Sequence, residues 1–206
     1  MHASEGRYTY TKYKLLIVIM QVPPSQPIIS HIKAQIDLKG LDSCILQLAK
    51  SLREKPKVKK YNFYVVKERY TYMIFEKRGF INIANIKSWE DLANVLPSFE
   101  KSFSIKTVKL ASSMLKVDNI TASGVFPARI NLVGLNDHFS KAPPSAQFPK
   151  AIYQYSRNRF PAAFIKTRQC GTVILHATGR YCIVGAKDLA DLENIYTWIH
   201  ALIFER

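Results

Sequence analysis

Cysteine and histidine carry most side-chain chemistry, and in this chain their spacing argues against any. Cys44, Cys170 and Cys182 are odd in number and form no Cys-x-x-Cys pair. They predict neither a zinc site nor a disulfide framework, and they fit a reducing compartment. His31, His138 and His176 are scattered, with no partner at ligand spacing. There is no nucleophile–base pair, no carboxylate cluster at active-site spacing and no phosphate-cradling glycine loop, so the sequence predicts no enzyme, no metal and no cofactor. What the chain has in excess is positive charge. Thirty Lys and Arg against fifteen Asp and Glu give a formal net charge of +15 over 206 residues. In a folded chain that imbalance favours a polyanionic partner, nucleic acid first and an acidic membrane surface second.

The elements that must display this charge follow from the hydrophobic pattern. Apolar content of 48% with 22% charged residues excludes a disordered chain and supplies a core for one domain or two tightly fused halves. Leu15–Met20 is too short to span a membrane and reads as a buried strand; nothing points to secretion. The chain is also written twice. Ala34-Gln-Ile-Asp-Leu-Lys-Gly-Leu41 recurs as Ala128-Arg-Ile-Asn-Leu-Val-Gly-Leu135, a shift of 94 (128 − 34). Gly79–Lys87 recurs as Gly179–Lys187, a shift of 100 (179 − 79). Two copies imply one pseudo-twofold body, with six extra residues (100 − 94) expected between Leu135 and Arg159, around Ala142-Pro-Pro-Ser145.

Within each half the patterns alternate between two periods. After the Ala-x-Ile-x-Leu strand, Asp42 is a candidate N-cap for a helix with Ile45, Leu46, Ala49 and Leu52 on one face, ended by Pro56. Three β-rich stretches follow, Tyr61–Lys67, Tyr70–Glu76 and Gly79–Ile86, matched by Phe160–Thr167, Thr172–Ala177 and Gly179–Ala186. Helices capped by Ser88 and Asp188 close the halves, and Pro97 must kink or shorten the first of them. Each half therefore reads strand–helix–strand–strand–strand–helix. Joined, they predict an α+β fold: a curved antiparallel sheet with helices on one face and the other face open. An open face with apolar side chains normally marks a binding surface.

Three stretches in order resemble the TATA-box-binding protein family: Asp118–Leu135, Arg159-Phe-Pro-Ala-Ala-Phe164 and Thr178-Gly-Arg-Tyr-Cys-Ile-Val-Gly-Ala-Lys187. The first repeat is a weaker match, carried by Tyr72-Met-Ile-Phe75 and Gly79–Lys87. The resemblance implies a two-repeat saddle, with residues 25–105 and 106–206 as the repeats and 1–24 as an extension or an extra strand over Tyr8–Leu15. It implies a concave sheet that grips the minor groove, bending DNA by inserting apolar wedges at base steps; the family is itself the standard example of this physics. Lys and Arg around the rim would neutralise phosphates and make binding salt-dependent.

The implied DNA-binding residues transfer one at a time. Asn119 matches the family's central Asn, and Thr121 shares its face; the symmetric position in the first half falls on Ser25. Phe160 matches one wedge, with its companion at His176 or Leu175. In the first half the wedges fall on Tyr61 or Phe63, and on Phe75. Met73, Asn82, Ala84, Ile174, Arg180, Cys182 and Val184 complete the DNA-facing set. Val184 and Ala84 stand where the family has Thr, so two base-contacting hydroxyls are missing.

The resemblance thus implies a promoter-binding factor without enzymatic activity. Its partners would be A·T-rich double-stranded DNA, general transcription factors of the B type and RNA polymerase. It would not engage a membrane and would be monomeric on DNA, in the nucleus or at a cytoplasmic replication site if the chain is viral. The alternative is a saddle that has lost TATA reading and regulates transcription by holding other factors. Tolerance of substitution at Arg129, Arg157 and Arg180 would favour that second reading.

Overall fold

The computed structural model describes residues 27–55, 57–60, 63–105, 110, 112–141, 148, 151–168 and 170–204. The strands expected over Tyr8–Leu15 and Leu15–Met20, the Ser25 position and the Ala142–Ser145 insertion lie outside them. The first half holds β1 (Ile28–Asp37), α1 (Asp42–Glu54), β2 (Val58–Lys60), β3 (Phe63–Lys67), β4 (Thr71–Phe75), β5 (Phe80–Ile86), α2 (Trp89–Ala93) and α3 (Val95–Phe103). The second holds β6 (Leu115–Val125), α4 (Leu132–Lys141), β7 (Ile152–Gln154), β8 (Ala162–Thr167), β9 (Gly171–His176), β10 (Arg180–Ala186) and α5 (Leu189–Phe204). All ten strands form one curved antiparallel sheet in the order β2-β3-β4-β5-β1-β6-β10-β9-β8-β7. β1 and β6 are thus the seam between two mirrored orders.

The seam fixes the true register of the duplication. Leu38 N–H donates to Gly79 O, and Phe126 N–H donates to Gly179 O. Leu38 and Phe126 are therefore equivalent, at a shift of 88 (126 − 38). The same shift reproduces the β1–β6 ladder on itself: Ile32 pairs Ile120, His31 pairs Thr121 and Lys33 pairs Asn119. The pseudo-twofold axis passes between Ile32 and Ile120, both fully buried. Even the irregularities obey it, since the ladder slips at Ser30 on one strand and at Asp118 on the other. Beyond the seam the shift grows to 100, as Asn85 (φ 70) and Gly185 (φ 99) occupy matching positive-φ bulges.

This register corrects the expected equivalence of Ala34–Leu41 with Ala128–Leu135. Ala34–Asp37 is strand, whereas Ala128–Asn131 is a loop and Leu132–Leu135 opens α4. Pro127 cannot extend the ladder, and the Asn131 side chain accepts from Gly134 N–H at 3.0 Å, which starts a helix instead. The second copy is accordingly longer by twelve residues between these landmarks (100 − 88), not six. Two short outer strands, β2 and β7, were not expected, so each half is strand–helix followed by four strands and a helical close.

The helices cover one face. From α1, Cys44, Leu48 and Leu52 are buried; from α3, Val95, Leu96, Phe99 and Phe103; from α5, Leu192, Ile195, Trp198 and Ile199. They pack on the alternate strand residues Ile36, Tyr72, Ile74, Ile81 and Ile83 in one half, and on Ala122, Ile165, Val173, Leu175 and Ile183 in the other. Trp89 and the symmetry mates Ile29 and Val117 touch both clusters, which joins the halves into one core.

Helix termini follow their sequence signals with two exceptions. Ser88 Oγ accepts from Asp91 N–H at 3.1 Å, and Asp188 Oδ1 accepts from Asp191 N–H at 2.8 Å, so both caps form as expected. Asp42, in contrast, is the first helical residue of α1, and the cap position is Leu41, without a side-chain bond. Asp42 acts there through its charge on the helix dipole. Pro97 does more than shorten its helix. Its ring excludes the carbonyl four residues back, that of Ala93, and the helix breaks into α2 and α3 at Asn94.

Candidate nucleic-acid interface

The longer strands alternate a residue buried beneath the helices with one turned to the side that no described helix covers, because successive side chains of a strand point to opposite faces. On that uncovered side lie Thr71, Met73 and Phe75 of β4, Phe80, Asn82 and Ala84 of β5, and Thr172, Ile174 and His176 of β9. β10 adds Arg180, Cys182 and Val184, and β6 adds Asn119, Thr121 and Ser123. The ladders align these residues in rows across the sheet. Gln35 pairs Asn82, Asn82 pairs Met73 and Met73 pairs Val65. On the other side of the axis, Ser123 pairs Cys182, Cys182 pairs Ile174 and Ile174 pairs Phe164.

The centre is a polar quartet. His31 and Lys33 from β1 flank the axis opposite Thr121 and Asn119 from β6. Asn119 Nδ2 donates to Thr121 Oγ1 at 3.1 Å, which fixes the amide. Lys33 Nζ stands 3.3 Å from Asp118 Oδ2, with both side chains over a third exposed. Such a pair contributes about 0–1 kcal/mol, so its function is to place a cation rather than to hold the fold. Position 31, equivalent to Asn119 (119 − 88), is thus the symmetric partner that the sequence analysis placed at Ser25.

The two ends of the open face carry aromatic clusters. At the first-half end Phe75 is sandwiched, with ring centroids 4.7 Å from Phe63 and 4.5 Å from Phe80, both stacked. At the second-half end Phe160 is 45% exposed, 5.3 Å from Phe164 and 6.4 Å from His176. A 45% exposed Phe beside two further rings is an unusual use of apolar surface on a free protein.

Most of the residues expected at the interface are brought together on this face: Phe63, Met73, Phe75, Asn82, Ala84, Asn119, Thr121, Ile174, His176, Arg180, Cys182 and Val184, with Phe160 at its margin. Tyr61 lies outside the described residues. Leu175 does not belong to the face. It is fully buried against the helices, and the strand alternation leaves His176 as the ring opposite Phe160. Sequence reasoning missed His31, Lys33, Phe80 and Phe164. The period-2 pattern around Asn82 and Ile165 would have found the two Phe residues, and the shift of 88 would have found the central pair.

The charge of this face is one-sided. Lys33, Lys67, Lys116, Lys166 and Arg180 occupy outward strand positions, against Asp37 and Asp118. Burial pushes the Cys182 thiol up from its ordinary value of 9.0, so no thiolate adds negative charge at neutral pH. Asn82 Oδ1 is buried and lacks a hydrogen-bond partner among the described residues, a cost of about 1–3 kcal/mol held on this side of the sheet. Among the described residues no three His, Cys, Asp or Glu side chains cluster as metal ligands.

Comparison with known proteins bears on the whole arrangement. Residues 114–205 match the family described as transcription factor TFIID, or TATA-binding protein, TBP. Among solved structures, Methanococcus jannaschii TBP is similar over 88% of this chain and 99% of its own, with a TM-score of 0.65 at 15% sequence identity. No curated protein sequence matches. The motif-bearing strands of the second half, the mirrored ten-stranded sheet and this likeness together identify the chain as a TBP-like fold protein, with the family's sequence pattern carried by residues 114–205.

Proposed function

We propose that the open face binds double-stranded DNA in the minor groove and bends it, as a step in assembling a transcription initiation complex. One observation carries the reading: an uncovered sheet with aromatic clusters at both ends, a polar quartet at its centre and an excess of cations between. Each part has a physical counterpart in a bent duplex. Rings on the open face, half-buried at one end and exposed at Phe160 at the other, can enter base steps and unstack them, which costs a few kcal/mol per step. The bend then brings more backbone onto the sheet, where Lys and Arg displace counterions. A central quartet of His, Lys, Asn and Thr can meet the base-edge acceptors that dominate an A·T-rich minor groove. The resemblance of residues 114–205 to the TATA-binding protein family supports the same role. Factors of the B type and RNA polymerase are the partners this reading implies for the helical side.

The test is selection from random duplex DNA by purified protein at moderate salt, beside the Phe75→Ala/Phe160→Ala variant. Enrichment of an A·T-rich element, with bending lost in the variant, is expected. Binding without enrichment, unchanged by the substitutions, would mean that charge alone holds the DNA. The function would then lie in protein contacts of the same fold.

A further inference from the structure

Resting on the reading that this face holds DNA, we infer that its second-half end is a proton-coupled wedge: the His176 imidazole takes up a proton as the duplex is bound. The symmetry of the sheet marks the position. Phe75 and Phe80 face each other across β4–β5, and the matching pair across β9–β10 is His176 and Arg180. Where the first-half end presents stacked hydrocarbon rings, the second presents an imidazole and a guanidinium. His176 is half-buried on the open side, with its ring centroid 6.4 Å from that of the exposed Phe160. Its cross-strand partner on β8 is Ala162, a side chain too short to screen the imidazole from a bound groove.

The surroundings decide when this ring is charged. Imidazole is the side chain whose charge ordinarily changes between about pH 5 and pH 8. The groups that face His176 are Arg180 from β10, Ala162 from β8 and Phe160 from the turn before β8, with Ile174 and Thr172 next to it on the same side of β9. Arg159, beside Phe160, is exposed and adds a second cation. None of these groups is a carboxylate. Among the described residues no hydrogen bond or ion pair holds either ring nitrogen, so both are available to a ligand. In the free protein the charges around the imidazole are thus cations, which favour its neutral form. On a duplex the nearest charges become phosphates, and an anion within about 4–6 Å favours the charged form. The imidazolium then donates through both nitrogens, whereas the neutral ring has one donor and one acceptor. Two donors suit the A·T-rich minor groove, which shows only acceptors. A phenylalanine at this place would supply neither the charge nor the donors.

Binding that takes up a proton weakens as pH rises through the range in which the imidazole titrates. The experiment measures the affinity of the full chain for its selected duplex from about pH 5.5 to about pH 8 at constant ionic strength, beside His176→Phe. The unmodified chain should lose about tenfold or more over that range, because a neighbouring opposite charge moves a titration by about 1–3 pH units and each is worth tenfold. His176→Phe should bind equally well across the range. His176→Gln provides the same comparison if the Phe variant does not fold. His31, at the centre of the face, also carries an imidazole, and His31→Gln should leave the pH dependence in place. Affinity independent of pH in the unmodified chain would overturn the inference while leaving DNA binding intact. So would a dependence that survives His176→Phe or that vanishes with His31→Gln. Absence of any selected duplex at any pH would overturn the DNA reading and this inference with it.

Discussion

Phe75 is the most exacting place to test the wedge reading, because its ring lies between two others on the open face, at 4.7 and 4.5 Å. Two effects of Phe75→Ala must be separated. Each stacked pair contributes about 0.5–1.5 kcal/mol beyond area burial, so losing two from a half-buried ring lowers stability by about 1–3 kcal/mol. On DNA, an aromatic ring stacked on a base contributes about 1–3 kcal/mol by alanine substitution. That corresponds to a fall in affinity of about 5- to 150-fold, at 1.4 kcal/mol per tenfold. The substitution removes no charge, so the slope of log K against log salt should not change. Phe160 stands in the other half of the sheet, and the two losses should multiply in the double variant, as for well-separated sites. Fluorescence anisotropy with a labelled duplex at four salt concentrations gives both affinity and slope, and a doubly end-labelled duplex reports the bend. Unchanged affinity and bend, in a variant shown by denaturation to be folded, would refute the wedge assignment. A changed salt slope would refute the separation of wedge from phosphate contacts.

Further outcomes follow from the packing. Ile32→Ala removes a fully buried side chain at the symmetry axis and should cost about 2–5 kcal/mol in urea denaturation, with the halves unfolding together. Gly179 has φ +86, and a Cβ there would stand 2.5 Å from Ala128 O and 2.6 Å from Phe126 O. Gly179→Ala should therefore destabilise by at least about 1–2 kcal/mol, the cost of the left-handed backbone alone; an unchanged melting curve would contradict the geometry. Asp91 accepts from Arg69 Nη2 at 2.7 Å, and that bond, with further ones from Lys87 N–H and Tyr70 O–H, holds its carboxyl below the ordinary 3.8. A carboxylate lowered in the folded state stabilises above its unfolded pKa and loses that contribution as pH falls through the folded value. The stability gap between the unmodified chain and Asp91→Asn should thus be present at pH 6 and close below about pH 3.8, which acid titration followed by circular dichroism would measure.

Much of this was legible in the sequence, and the failures have specific causes. Ser88 and Asp188 announced the closing helices because a capping side chain acts on the next turn and needs no tertiary partner. The strands β4, β5, β9 and β10 were visible because one face of each is buried and the other is not, which prints a period of two on the residues. Ala128–Leu135 misled because its apolar alternation copies that of Ala34–Leu41. Whether such a pattern becomes strand or loop was decided by Pro127 and by the Asn131 cap. The error displaced the central residue by six positions (94 − 88), from His31 to Ser25. β2 and β7 are three residues each, too short to show any period. The break at Asn94 was half visible, since Pro97 gives the cause but its effect falls on the turn before it.

The β1–β6 seam has a consequence for either half taken alone. Without β6, β1 becomes an outer strand ten residues long with a row of unpaired main-chain groups, the kind of edge that recruits another strand. Because residue 32 meets its own equivalent across the axis, a second copy of the first half could dock there in the same register, residue 32 against residue 32. An isologous dimer of that kind would restore the ladder but give two His31 and two Lys33 at its centre, and no Asn119 or Thr121. Covalent fusion of unlike halves therefore does what a homodimer cannot: it keeps the twofold scaffold while freeing each side to diverge.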